Sequence, residues 1–388
     1  MKNYILIFRY PSGTLNLRPM EEDKGKQVVL VTGASGYVAL HCVAQLLTAG
    51  YRVRGTVRSM NNARKVAPLL RLPHANERLG LVEADLLNEE DWPAAVRDCT
   101  FILHVASPWP IVADEHTIKT AIDGTLFVLR AASMEPSVKK VVLTSSCAAV
   151  NDGHPNDERV FDETCWTNLD NPNVDNYAKS KTLAEKAAWN FWSTLDHNSR
   201  FALTVLNPTF VIGPMLSDCE NGSATIIGRM MDFRTYLACP KVSLGVVDVR
   251  DVAKAHVEAL TRKESDGERI LITARSIWFK DMITWLRKEF SKMGYLITPA
   301  VVQNWAVKLY AYLGIDPHVA AVIHRLGPEL QFDNTKSREL LGMTYTNLHI
   351  SLIEMMYSMI QLGMVRKTSG YEKCLSQARQ QIATVASE

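Results

Sequence analysis

The chain has 388 residues, with 43 Lys plus Arg against 41 Asp plus Glu and 47% hydrophobic side chains. That length can bury a substantial core, and the near-balanced charge removes the electrostatic footprint of a nucleic-acid binder. The seven cysteines (Cys42, Cys99, Cys147, Cys165, Cys219, Cys239, Cys374) are scattered, odd in number and without the short paired spacing of a zinc site or redox dithiol. Reduced thiols, a cytoplasmic protein and no metal site are therefore expected.

Residues 1–23 hold only a short apolar run, 4–8, followed by Pro, Gly and charge, so they are expected to be a disordered extension. From Gln27 short β-branched runs alternate with longer helical periods: QVVLVT, a helix to Gly50, YRVRGTV, a helix, RLGLVEAD, a helix from Asn88, FILHVA, a helix over 113–134, KKVVLTSS, a helix from Asn176, and RFALTVLNP. This alternation predicts an α/β protein with a doubly wound parallel Rossmann sheet of six or more strands over 24–207. VSLGVVDV and ERILITA, within 242–275, read as late strands of the same domain.

Segments 208–241 and 276–370 break the rhythm and predict a smaller, mostly helical substrate lobe, with Leu348, Leu352, Met355, Met356 and Met359 at helical spacing as core. Residues 371–388 read as a polar, weakly held tail. No run approaches the roughly 18 apolar residues of a membrane span, and the most apolar late stretch is broken by Lys308, Gly314, Asp316 and Pro317. Residues 301–326 are instead expected to line an apolar approach to a site.

The first strand runs into Thr32-Gly33-Ala34-Ser35-Gly36-Tyr37-Val38-Ala39. A glycine turn between strand and helix brings backbone amides onto a pyrophosphate, so Gly33, Ser35, Gly36, Tyr37 and Val38 are expected cofactor contacts. The second strand ends in Arg58, where a cofactor with a free ribose hydroxyl calls for Asp or Glu. A guanidinium there suits a 2'-phosphate, with Arg64 and Lys65 close by, so NADP(H) is favoured over NAD. A solvated basic turn is the other reading of Arg54 and Arg58. Asp85 and Leu86 end the third strand and fall near the adenine edge, although Asp85 as cap of the next helix explains it nearly as well. Val105, Ala106 and Ser107 follow the fourth strand and are expected beside the cofactor, with His104 packed there.

Three segments converge on one reaction: Ser146 at a strand end, Tyr177 and Lys181 at a helix start, and Pro208 after the next strand. Tyr177 and Lys181 are four apart and share a helix face, where an ammonium favours the phenolate. Tyr177 is thus the expected proton donor to a forming alkoxide, Ser146 the group polarising a carbonyl, and Lys181 a holder of ribose hydroxyls. Taken alone, Tyr-xxx-Lys is common surface decoration; its weight comes from its order among the other motifs.

With these motifs together (VTGASGYVA, VRGTVRS, HVASP, VVLTSS, NYAKSKTLAEKAAW, LNPTFVIGP, VVDVRDVAKAH), the chain resembles the extended short-chain dehydrogenases/reductases over about residues 27–341. The similar group holds dihydroflavonol reductases, cinnamoyl-CoA reductases and yeast-type ketone and aldehyde reductases. The resemblance implies hydride delivery from NADPH to a carbonyl carbon, with Ser146, Tyr177 and Lys181 catalytic and Arg58 and Lys65 at the 2'-phosphate. It further implies Asp85 at the adenine, Pro208 and Ser223 around the nicotinamide, and Asn151 at a substrate position. Ala39 in place of a third glycine and Cys147-Ala148-Ala149 after Ser146 depart from the plant pattern.

The expected partner is a small-molecule carbonyl compound, with no nucleic acid and no integral membrane segment, in a monomer or homodimer. The competing readings are an NAD-dependent 3-beta-hydroxysteroid-type dehydrogenase, a nucleotide-sugar epimerase, and a non-catalytic NADP-binding regulator. Arg58 argues against NAD, Arg229, Arg234 and Lys241 are a thin set for a sugar diphosphate, and the intact Ser, Tyr and Lys argue against a regulator.

Overall fold

The computed structural model describes residues 24–108, 113–154, 159–196, 200–234, 238–313 and 326–386. The expected N-terminal extension and most of the second half of 301–326 lie outside them. In chain order the strands are β1 (Val28–Val31), β2 (Arg52–Val57), β3 (Leu79–Glu83), β4 (Phe101–His104), β5 (Lys140–Thr144), the two-residue β6 (Val160–Phe161), β7 (Ala202–Pro208), β8 (Phe210–Ile212), β9 (Ser243–Asp248), β10 (Arg269–Ile272), β11 (Arg275–Trp278) and β12 (Gln331–Phe332).

Seven of them form a parallel sheet in the order β3-β2-β1-β4-β5-β7-β10. The helices that matter for the argument are α1 (Tyr37–Thr48), α2 (Ala63–Leu70), α3 (Ala75–Arg78), α4 (Trp92–Val96), α5 (Glu115–Met134), α6 (Asn176–Thr194), α7 (Gly222–Met230) and α8 (Val249–Ala259). Strand residues alternate between the two faces, and both faces are dry. Val29, Val31 and Val142 pack with Leu40, Leu46 and Val252 from α1 and α8. Leu30, Val141 and Leu143 pack on the other side with Trp92, Val128, Leu129 and Ala188 from α4, α5 and α6. The direction in which successive strands are added reverses between β1 and β4, which opens a crevice at their carboxyl ends.

Of the two late strands expected in the large sheet, β10 joins its edge beside β7. β9 does not: it pairs with β8 in parallel and with β11 in antiparallel fashion, in a separate three-stranded sheet. An all-buried strand has the same apolar sequence in either sheet, and only pairing separates them. Beneath this small sheet lies a second core built from Ile227, Met230, Ile283, Leu286, Phe290, Leu352, Met355, Met356 and Met359.

The expected weak tail is instead a helix, Ser369–Ala386, anchored by Tyr371, which is buried against Tyr357 with ring centroids 6.3 Å apart. Polar composition hid a single buried aromatic anchor. Among the described residues no helix is long and apolar enough to cross a membrane.

Candidate active site

The glycine turn after β1 is built to admit a ligand against backbone. Gly33 has φ +61°, and a Cβ there would stand 3.0 Å from the Ala106 side chain. Its N–H donates to Thr56 Oγ1 (2.9 Å), and the Ala34 N–H donates to the Thr56 carbonyl (2.9 Å), pinning the turn to β2. Gly55 of β2 lets that turn close in, since a Cβ on it would meet Ala34 at 2.8 Å. Gly36 caps α1 without a side chain, so the first amides of the helix, from Tyr37 and Val38 onward, face out toward the crevice beside Ser35.

The Tyr37 side chain turns the other way. Its hydroxyl donates to the Gly213 carbonyl (2.8 Å), His41 Nε2 bonds the Pro214 carbonyl (2.9 Å), and burial raises the Tyr37 pKa well above its ordinary value. Any contact from Tyr37 to a cofactor is therefore through its backbone, and its ring joins α1 to the second lobe. Arg250 ties the same seam: it bonds Asp248 Oδ1 (2.9 Å) and Oδ2 (2.7 Å) and reaches Glu354 Oε2 (2.6 Å).

At the switch point Thr32 Oγ1 accepts the N–H groups of Val105 (3.0 Å) and Ala106 (2.9 Å) and lies 2.9 Å from His104 Nδ1. With both acceptances taken, the hydroxyl proton goes to His104. Burial, with the Lys181 charge adding, pushes His104 down to about 3, so it is a neutral structural residue beside the crevice. Ser107 continues the same loop and, with Ala106, Thr144, Ser145, Lys181 and Glu185, lines a narrow cavity.

Arg58 is exposed one position beyond β2, and Lys65 is half-buried in the first turn of α2. Arg54 and Arg64 are committed elsewhere. Arg54 donates to the carbonyls of Ala95 (3.0 Å) and Arg97 (2.6 Å), so it is no solvated turn, and Arg64 pairs with Asp218 (2.7 Å). Asp85 Oδ1 accepts the Leu87 N–H (3.0 Å) and its own N–H donates to Asp91 Oδ2 (2.9 Å). Asn88, rather than Asp85, caps the short helical turn that follows. Leu86 packs where Gly124 of α5 leaves room for it.

Ser146 lies just beyond β5 and caps the short turn Cys147–Ala149, accepting the Ala148 N–H (3.1 Å). That turn packs on α6: Ala148 clusters with Val174 and Ala178, with Tyr177 against them. Asp175 caps α6 by accepting the Ala178 N–H (2.7 Å), which starts the helix at the residue before Tyr177. Lys181, one turn on, is buried, and its Nζ sits 5.7 Å from the centre of the Tyr177 ring. Desolvation lowers its pKa to about 8 against the opposing pull of Glu185. Pro208 ends β7, buried, and Ser223 is the second residue of α7, half-buried. Asn151 is nearly buried, and its Oδ1 has no hydrogen-bond partner among the described residues.

A model of the NAD dependent epimerase/dehydratase family matches residues 29–273. The chain belongs to that family. Within it the chain is an extended short-chain dehydrogenase/reductase. It is 36% identical to the cinnamoyl-CoA reductase CAD2 of Medicago truncatula over 86% of this chain and 95% of that one. It is 30% identical to the NADPH-dependent methylglyoxal reductase GRE2 of Saccharomyces cerevisiae, over 82% and 94% respectively. The crystal structure of yeast methylglyoxal/isovaleraldehyde reductase Gre2 complexed with NADPH superposes with a TM-score of 0.72 at 28% identity, covering 87% of this chain and 99% of that one.

A recess lies among Trp166, Trp189, Lys186, Arg269 and Lys336 at the β10 edge of the sheet, where the pairing register sets Arg269 level with Leu143 of β5 and His104 of β4. It contains none of the three expected catalytic residues. The sequence reading also passed over Glu185, although its spacing from Lys181 repeats that between Tyr177 and Lys181 and puts all three on one face of α6. A carboxylate one turn beyond Lys181 on the same helix face was the available signal.

Proposed function

We propose that the chain reduces a ketone or aldehyde to an alcohol with NADPH, using Tyr177 as proton donor. The observation that carries this is the Tyr177–Lys181 pair on one face of α6, packed against the turn that Ser146 caps at the carboxyl edge of the sheet. The glycine cradle suits a dinucleotide, because Gly33, with φ +61° and Ala106 packed where a Cβ would stand, keeps the turn tight, and the first amides of α1 carry no side-chain cap. NADPH, when bound, supplies the hydride that adds to the carbonyl carbon.

The protein's own groups then act on the oxygen. The Ser146 hydroxyl donates to the carbonyl oxygen and orients it; Tyr177 Oη transfers its proton to that oxygen as the C–O bond becomes an alkoxide; the Lys181 ammonium stabilises the phenolate left behind. Arg58 and Lys65 hold the 2'-phosphate, and Asp85 and Leu86 lie toward the adenine. The chain's cofactor is thus NADP(H) and its activity that of an oxidoreductase on carbonyl and CH–OH groups, in keeping with relatives named as NADPH-dependent reductases. Asn151, with an unfilled acceptor, is the residue we assign to a polar group of the substrate.

The test is NADPH consumption by the purified protein over a panel of aldehydes, aromatic ketones, flavonoids and steroids, with NADH and Tyr177→Phe alongside. Turnover specific for NADPH, reduced about 100-fold or more in Tyr177→Phe with NADPH affinity kept, is expected. Unchanged turnover in the variant overturns the mechanism; tight NADPH binding without turnover on any compound favours the regulator.

A further inference from the structure

We infer that Glu185 is a positioning residue for this reaction, its charge acting through space on the Lys181 ammonium and its hydrogen bonds fixing the backbone that carries Ser146. The inference rests on the reading of Tyr177, Lys181 and Ser146 given above. Glu185 is buried, and its carboxylate is saturated with donors from three adjacent strands. Oε2 accepts Ser145 Oγ from the end of β5 (2.5 Å) and Asn207 Nδ2 from β7 (2.7 Å). Oε1 accepts Arg269 Nε from β10 (2.5 Å), with Trp189 Nε1 at 3.4 Å.

The Asn207 amide also donates to the Ser146 carbonyl (3.2 Å), so one carboxylate reaches the serine strand end by two routes. Lys181 and Glu185 line the same cavity one helical turn apart. A carboxylate buried this deeply is costly, and for stability alone an apolar side chain of similar size would serve as well. Its retention in contact with both catalytic segments is what a positioning role explains.

The groups facing Lys181 leave Glu185 as the compensating anion. Tyr177 shares its helix face, and His104 of β4 is held neutral by burial. His256 of α8, which bonds Thr144 at the end of β5, is likewise held down at about 4. Arg269 lies beyond Glu185, stacked over Trp166 at 3.6 Å and bonded to the carbonyls of Glu163 and Cys165. Burial lowers the Lys181 pKa, and Glu185 is the charge that raises it.

The experiment compares the wild type, Glu185→Gln and the paired variant Glu185→Leu/Arg269→Met, which removes both buried charges together. Lysine labelled with 13C at Cε reports the Lys181 titration in the cofactor-free protein, and kcat is followed from pH 6 to 9.5. The Lys181 midpoint is expected to fall by about one pH unit in Glu185→Gln and by less in the paired variant, where the opposing Arg269 charge goes too, with the alkaline limb of kcat moving by the same amount in each. A midpoint and limb at the wild-type position in a folded variant overturn the inference. Failure of both variants to fold overturns it as well, since the carboxylate would then serve the fold. The lysine titration needs no turnover, so it fails or succeeds independently of the reaction assigned to Tyr177.

Discussion

The ammonium of Lys181 lies 5.7 Å from the centre of the Tyr177 ring, one turn further along the same helix and buried. A desolvated lysine with its pKa lowered to about 8 loses its charge just above neutrality. In the proposed mechanism that charge stabilises the phenolate. Turnover is therefore expected to fall as pH rises through about 8. A kcat that stays flat to pH 9.5 would contradict the role given to Lys181.

Arg58 stands exposed at the end of β2, whereas Arg54 and Arg64 are occupied by protein partners. A charge-assisted guanidinium–phosphate contact contributes about 1.5–3 kcal/mol. Arg58→Ala should raise the KM for NADPH by about 10- to 100-fold and leave that for NADH unchanged. Equal weakening of both cofactors would place Arg58 in the fold rather than at the 2'-phosphate.

Burial lowers His41 and His256 from 6.5 to about 4 and His104 from 6.5 to about 3. Below 6.5 the unfolded chain takes up three protons that the folded chain refuses, so their stabilisation is complete above 6.5 and lost as pH falls through about 4. Asp251 opposes them: burial raises it to about 6, so the folded chain takes up one proton there first. The difference is about two protons, or a loss of roughly 2–3 kcal/mol per pH unit between about 6 and 4. Denaturant unfolding at pH 7, 6, 5 and 4.5 measures it, and a flat profile would show that these histidines are hydrated.

Arg250 is shared by Asp248, fully buried, and Glu354 in the helix Leu348–Gln361. Arg250→Met leaves two carboxylates facing each other without their cation, which should cost about 3–5 kcal/mol. The exposed Arg52→Met, at the start of β2, is expected to change stability by no more than about 0.5 kcal/mol. Equal melting temperatures for the two variants would show that the seam between α1 and the second lobe does not depend on this cluster.

Much of the candidate site's geometry was readable because its motifs are local. Gly33 and Gly36 are obliged by a tight turn, Tyr177 and Lys181 by helical spacing, and Ser146 and Pro208 by strand ends that a parallel sheet must bring to one edge. The readings that failed depended on partners distant in sequence. Arg54 is spent on carbonyls 41 and 43 residues away, β9 pairs with β8 and β11 outside the large sheet, and the helix at 369–386 is held by Tyr371 against Tyr357. The expected apolar approach over 301–326 is only partly described. There Trp305, Leu309 and Tyr312 are exposed and Val307 is buried.

Sequence periodicity and turn chemistry by themselves determined the βαβ order, the tight glycine turn and the order of Ser, Tyr and Lys, because each follows from spacing along one or two elements. Tertiary structure alone decided how the charges are used. Whether Glu185 is buried among Ser145, Asn207 and Arg269, and whether Arg58 is left open while Arg54 is not, depend on which strands become neighbours, and a carboxylate or guanidinium has no chemistry of its own until its partners and its solvent are chosen.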